Sequence, residues 1–288
     1  MTQVGVLNRG RANLAAQPRF LLFARLQLLV LILNSNELPV LLVLSIVLTA
    51  AVFLREPVLR SPWLWFAVAA ALAIGQGSVW WRIDDHIVLS TYLALATGLS
   101  RLADDPRRTL AETCRLLIGL VFAFAFGWKI LSSQFVSTDF FRFELVTDER
   151  FAPVAEWVGG MDSDELAVTE ASISEIVTFG ETGDLVVLDE GPRNEFLAGL
   201  MTVWGIVIEG AIAATFLLPL RGRWRHLRLI SLFAFSFTTY VVVPISGFGC
   251  LLMTMGLATT SDRRWREPLV AGFAALAVWG TLFPLLVL

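Results

Sequence analysis

The basic residues of this 288-residue chain sort by position. Arg25, Arg115 and Lys129 sit inside apolar runs, and the other nineteen of the 22 fall in polar breaks that alternate between basic and nearly base-free. One set of breaks holds fifteen of them, from Arg9, Arg11 and Arg19 through Arg55, Arg60, Arg101, Arg107, Arg108, Arg221, Arg223, Arg225 and Arg228 to Arg263, Arg264 and Arg266. The intervening set holds four: Arg82, Arg142, Arg150 and Arg193. Cytoplasmic loops of membrane proteins retain Lys and Arg, so this alternation predicts both a number of crossings and an orientation.

Only 16% of the chain is charged and its mean hydropathy is +0.71, against about 25% charged in an ordinary soluble domain. Several runs approach the ~20 apolar residues that cross ~30 Å of hydrocarbon. They are solid rather than alternating, which excludes a transmembrane β-barrel. Nine spans are predicted, at about 18–33, 38–54, 63–81, 86–100, 110–131, 196–220, 228–243, 245–259 and 268–288. Pro244, with Gly247 and Gly249, divides a stretch too long for one straight helix. The N-terminus is then cytoplasmic and the C-terminus extracytoplasmic, in a multi-pass protein of the cell membrane. Met1 to Arg19 reads as no removable signal peptide. Trp63, Trp65, Trp80, Trp81 and Trp128 fall at span ends, as an interfacial belt requires.

The expected fold class is an all-α polytopic bundle with a small extracytoplasmic α+β insertion. A five-span half, 1–131, and a four-span half, 195–288, flank that insertion at 132–194. The insertion carries 14 acidic and 3 basic residues, which disfavours nucleic acid as a partner. Phe151 to Trp157 and Asp164 to Phe179 have helical apolar spacing, and Asp184 to Leu188 reads as a short strand. Such a segment is expected to cap the outer end of the bundle.

Charged side chains at membrane depth are candidate functional residues. Lys129 ends an apolar run that starts at Leu116. It either snorkels outward or faces the bundle, where loss of hydration makes a Lys usable as a base at neutral pH. Gly127 beside it allows close approach on one face. Glu209 lies inside the sixth span and must be protonated, paired or exposed to an internal cavity, with Arg25 the expected partner. Arg115 is expected to snorkel. Asp84, Asp85 and His86 form an interfacial polar turn that could bind metal or shuttle protons. The only other histidine, His226, falls in a basic break on the opposite side, which excludes a two-His site within one chain. Cys114 and Cys250 have neither zinc spacing nor a disulfide framework and read as packing residues. No metal is expected. No nucleotide-binding or hydrolase motif is present.

Arg115-Leu-Leu-Ile-Gly-Leu-Val-Phe-Ala-Phe-Ala-Phe-Gly-Trp-Lys-Ile-Leu131 resembles a helix of the horizontally transferred transmembrane (HTTM) superfamily, which includes the vitamin K-dependent γ-glutamyl carboxylases. Gly205-Ile-Val-Ile-Glu-Gly-Ala, continuing to Leu217-Leu-Pro-Leu-Arg, is similar to that family's Glu-containing helix. Leu232-Phe-Ala-Phe and Gly247-Phe-Gly-Cys resemble its following helix pair, and Arg25 matches an Arg of its first helix. The resemblance covers roughly residues 20–260. It implies that Lys129 stands where the carboxylase base acts, with Arg25 and Glu209 shaping an outward-opening pocket for an exported peptide or for a quinone or other lipid. Phe235 and Ser236 occupy the region of the family's seventh-span His, and the acidic insertion replaces its large lumenal part.

Two functions follow from these observations. The favoured expectation is a membrane partner, a maturation or assembly factor that docks an exported peptide or another membrane subunit through 132–194. The alternative is a carboxylase-like or quinone-linked membrane enzyme that uses Lys129 as base. They differ in whether Lys129 faces the bundle or the bilayer.

Overall fold

The computed structural model describes residues 19–34, 56–78, 85–164, 166–169, 191–243 and 245–287. Every regular element among them is helical. The long helices are α1 (Arg19–Leu33), α2 (Pro62–Ser78), α3 (Asp85–Ser100), α4 (Pro106–Leu131), α6 (Gly191–Leu217), α7 (His226–Thr239), α8 (Ser246–Thr259) and α9 (Arg266–Val287), with the shorter α5 (Asp139–Thr147) inside the acidic insertion. The expected span 38–54, the expected strand at Asp184 to Leu188, and Pro244, Trp80, Trp81, Arg82 and Asp84 lie outside the described residues. Each of the other eight expected spans overlaps a described helix, with ends that differ by several residues.

Among the described residues two helices, α4 and α6, are long and apolar enough to cross a membrane. Only 22% of the apolar window of α4 is buried, and 39% of that of α6. Leu116, Leu120, Phe124, Trp128 and Leu131 form a stripe on the exposed face of α4, while Cys114, Ile118 and Phe122 are buried on the other. The spacing of three to four residues in both sets is that of a helix with two faces. Both faces are apolar.

α8 runs through the centre, touching α1, α3, α4, α7 and α9. All residues from Gly249 to Ala258 are buried. Its glycines let neighbours come close: a Cβ on Gly249 would lie 2.8 Å from Tyr240 Cδ2 and 2.9 Å from Leu276 Cδ1. Small residues at such crossings let neighbouring helices approach closely, and here side chains pack directly on the α8 backbone.

α4 is defined at both ends by side chains. Asp105 Oδ1 accepts from Arg108 N at 3.1 Å and Pro106 occupies the first turn, where its missing N–H is harmless. At the far end Ser132 N donates to Trp128 O, and Ser132 Oγ caps the next short helix, Ser133–Val136, from Phe135 N. α6 ends just before Pro219. Its last carbonyls are taken by two arginines: Arg115 Nη1 donates to Phe216 O at 2.5 Å, and Arg228 donates to Thr215 O and Leu218 O at 2.9 and 3.0 Å. Arg115 therefore closes a helix C-terminus, where positive charge is favoured, instead of snorkelling.

α4 and α6 make the most extensive helix pair among the described residues, and buried side chains from before and after the insertion share one core. The insertion folds back along α6. Leu145, Val146, Phe151 and Ala155 are buried there against Leu197, Ala198 and Val243. Its described part is helical, including Ala152–Val154 and a π-helical turn at Ala155–Gly159.

A lysine and a glutamate in an apolar cavity

α4 reaches only part of the way along α6. Glu209 is 18 residues from the start of α6 at Gly191, about 27 Å at 1.5 Å per residue, yet it meets Lys129, two residues from the end of α4. Lys129 Nζ donates to Glu209 Oε1. The lysine is thus turned towards α6 rather than outward, and 18% of its side chain is exposed against 8% for Glu209. Gly210 makes room for this crossing: a Cβ there would lie 2.9 Å from Phe126 Cε2. Gly127, expected to be the point of close approach, has nothing within 4 Å of where its Cβ would be.

The pair borders a cavity of about 590 Å³ between α5, α6 and α7. Its α6 wall runs from Leu197 to Glu209, about 18 Å of helix. The remaining wall is chiefly apolar, with Phe140, Phe141 and Phe151 from the insertion and Phe235 and Val242 from the α7 side. Phe135 is fully buried under Lys129, its ring centroid 5.1 Å from Nζ. Trp128, Phe135, Phe140, Phe141 and Phe151 continue as a chain of rings with centroids between 5.2 and 6.3 Å apart.

Two polar features complete the lining. Trp204 Nε1 donates to Thr238 Oγ1 at 3.0 Å, bridging α6 and α7 at an exposed position beside the cavity. Glu144 and Arg150 also line it from the insertion. Burial and the charge of Asp148 push the Glu144 carboxyl up, against the pull of Arg150. Burial also pushes Asp148 upward, but hydrogen bonds from Arg150 outweigh it and hold that carboxyl below its usual range.

The buried pair has one unspent atom. Glu209 Oε2 is enclosed and makes no hydrogen bond, and a buried carboxylate oxygen in that condition is costly. Lys129 and Glu209 both line the cavity, while Oε2 itself is shut off from it.

The other expected site residues are elsewhere. Arg25 lies on α1, which packs on α8, while the partner taken by Glu209 is Lys129. Asp85 and His86 start α3, and Asp84 is outside the described residues. His226 Nδ1 accepts from Trp265 Nε1 at 2.8 Å and stacks on that indole, joining α7 to the turn before α9. Among the described residues no group of three His, Cys, Asp or Glu could hold a metal ion. Cys114 and Cys250 are free thiols in the core. Cavity residues missed by sequence reasoning are Trp204, Thr238 and the α5 phenylalanines; the Asp139-Phe-Phe-Arg-Phe run was their available signal.

No family model, no curated protein and no solved structure matches the chain.

Proposed function

We propose that the chain is a multi-pass membrane protein that takes an amphiphile from the bilayer and holds its polar head against Lys129 and Glu209. The observation that carries this reading is the ion pair with an unsatisfied Glu209 Oε2 at the wall of a long apolar cavity. Exposed apolar stripes on α4 and α6 support lipid contact: Phe124 is 76% and Phe196 74% exposed. In this placement the nine spans and the sidedness set by the arginine pattern are retained, and the Trp204–Thr238 bridge stands where the cavity meets lipid.

The head group is one whose oxygen accepts from Lys129 while a hydroxyl donates to Glu209. A quinol ring or another hydroxylated lipid head fits that description. Glu209 takes the hydroxyl proton, and Lys129 holds the oxyanion that results. Pairing an acceptor carboxylate with a cation in a water-poor cavity is what such a proton transfer requires. A bound quinone would supply redox chemistry. Membership of the HTTM superfamily remains part of this proposal, on the Lys129 and Glu209 helices.

Extraction of the purified full chain with organic solvent, followed by mass spectrometry, tests the reading. One class of hydroxylated or quinone-type amphiphile should be enriched over bulk lipid in the wild type and lost in Lys129→Met and Glu209→Leu. Equal lipid content in all three would contradict it.

A second reading has its own observation. Trp157 and Val158, on the π-helical turn of the insertion, are 85% and 60% exposed. A maturation or assembly partner that docks an exported peptide or a membrane subunit would present such a surface. Trp157→Ser should then release the partner while leaving the amphiphile in place.

A further inference from the structure

The end of the bundle remote from the insertion carries a second, smaller cavity of about 130 Å³. Four arginines line it, each from a different part of the chain: Arg19 at the start of α1, Arg60 before α2, Arg101 after α3 and Arg107 in the first turn of α4. Two are fixed in place. Arg19 donates Nε and Nη2 to Leu257 O at 3.0 and 2.7 Å, and Nη2 also to Ala258 O at 3.0 Å. Arg101 donates Nε to Arg60 O at 3.2 Å and lies 4.7 Å over the Phe20 ring.

No Asp or Glu is among the described residues lining this cavity; the carboxylate that meets these arginines among the described residues is Glu56, half exposed and 3.4 Å from Arg60 Nη2. The segment before Arg19 brings none either, because the first acidic residue of the chain is Glu37. Like charges gathered around one concavity repel unless an anion sits among them. Arginine is also the side chain whose forked N–H groups match phosphate oxygens two at a time. The volume is that of about four water molecules at roughly 30 Å³ each, the scale of one phosphate group. Phe20, Phe23 and Leu110 supply an apolar side to the same cavity.

We propose that this four-arginine cavity binds a phosphate group, supplied by an anionic lipid headgroup or by free phosphate. Basic pockets between helices at the cytoplasmic face are where anionic headgroups are recognised. The lipid source rests on the membrane placement proposed above, whereas phosphate binding as such does not.

Thermal unfolding of the full chain in neutral detergent tests this, with short-chain phosphatidylglycerol, phosphatidylcholine and inorganic phosphate as probes. Phosphatidylglycerol should raise Tm at concentrations where phosphatidylcholine does not. The variant Arg60→Gln/Arg107→Gln, changed at two exposed positions, should need a higher concentration, by about fivefold for each arginine removed. Response to phosphatidylglycerol alone assigns a lipid source, and response to inorganic phosphate as well assigns the free anion. Lys129→Met should respond as the wild type, which separates this cavity from the other one. A Tm indifferent to both anions, or a double variant that responds like the wild type, would overturn the proposal.

Discussion

Lys129 and Glu209, 80 residues apart in sequence, form an ion pair that joins the end of α4 to the interior of α6. Among the described residues each is the counter-charge the other contacts, and their surroundings are chiefly apolar. Removing one partner of such a pair strands the other charge, at a cost of about 3–5 kcal/mol, whereas replacing both by apolar residues is often neutral. Lys129→Met and Glu209→Leu should each lower Tm, and the double variant should recover most of the loss. A double variant as unstable as the sum of the two would show that the pair is not coupled.

Trp204 and Thr238 make a bridge between α6 and α7 that can be opened without changing shape. Thr238→Val removes the acceptor and keeps the volume. The lost hydrogen bond is worth about 0.5–1.5 kcal/mol, so Tm should change little. Retention of the amphiphile through detergent exchange should fall several-fold. Unchanged retention would show that this bridge does not control access.

The carboxyls of the insertion make opposite contributions with pH. Glu144 has a raised value in the folded chain, so it favours folding at low pH, and this contribution is lost as pH rises from 4.5 through that higher value. Asp148 has a depressed value, so its contribution is present above 3.8 and is lost as pH falls through the lower folded value. At about pH 7, Glu144→Gln should raise Tm and Asp148→Asn should lower it. Both differences should shrink in acid, the second one last. Unfolding curves across the acid range check both signs.

Gly249 stands where α8 meets Tyr240 and Leu276. Gly249→Ala adds a Cβ at 2.8 Å from the buried Tyr240 ring. Overpacking of this kind costs about 1–3 kcal/mol. Gly127→Ala, with open space around its Cβ, should leave Tm unchanged or raised. Equal effects of the two substitutions would contradict the packing described for α8.

Sidedness has a direct check. Both native thiols are buried at 0% exposure, so an impermeant thiol reagent should label only cysteines introduced at the surface. Ser137→Cys, in the insertion, should react in intact cells, and Ser261→Cys, in a basic break, only after lysis. Reaction of both in intact cells would remove the assigned orientation.

The helices were legible because apolar runs and punctuation coincide. Asp105 with Pro106 opens α4, Pro219 follows the end of α6, and the run from α7 to α8 breaks between Thr239 and Ser246, on either side of Pro244. The site was half legible. Lys129 and Glu209 are visible as charges in apolar runs, but their pairing is not, since run length misjudges depth. The first turns of α6 pack on the insertion, which brings Glu209 level with the end of α4 and leaves Arg25 on a helix that packs elsewhere. Phe140 and Phe141 become cavity walls only after α5 folds back along α6, a long-range contact with no local signature beyond their aromatic spacing. Arg115 and Arg228 are similar: closing the C-terminus of another helix leaves no mark in the neighbouring residues.

A density map of the full chain purified with native lipid tests the central proposal most directly. The expected density is an elongated molecule along the α6 wall, its polar end within hydrogen-bond distance of Lys129 Nζ and the Glu209 carboxylate and its tail passing towards Trp204 and Thr238. A cavity closed by side chains, or a Lys129 that leaves Glu209 and points outward, would contradict it.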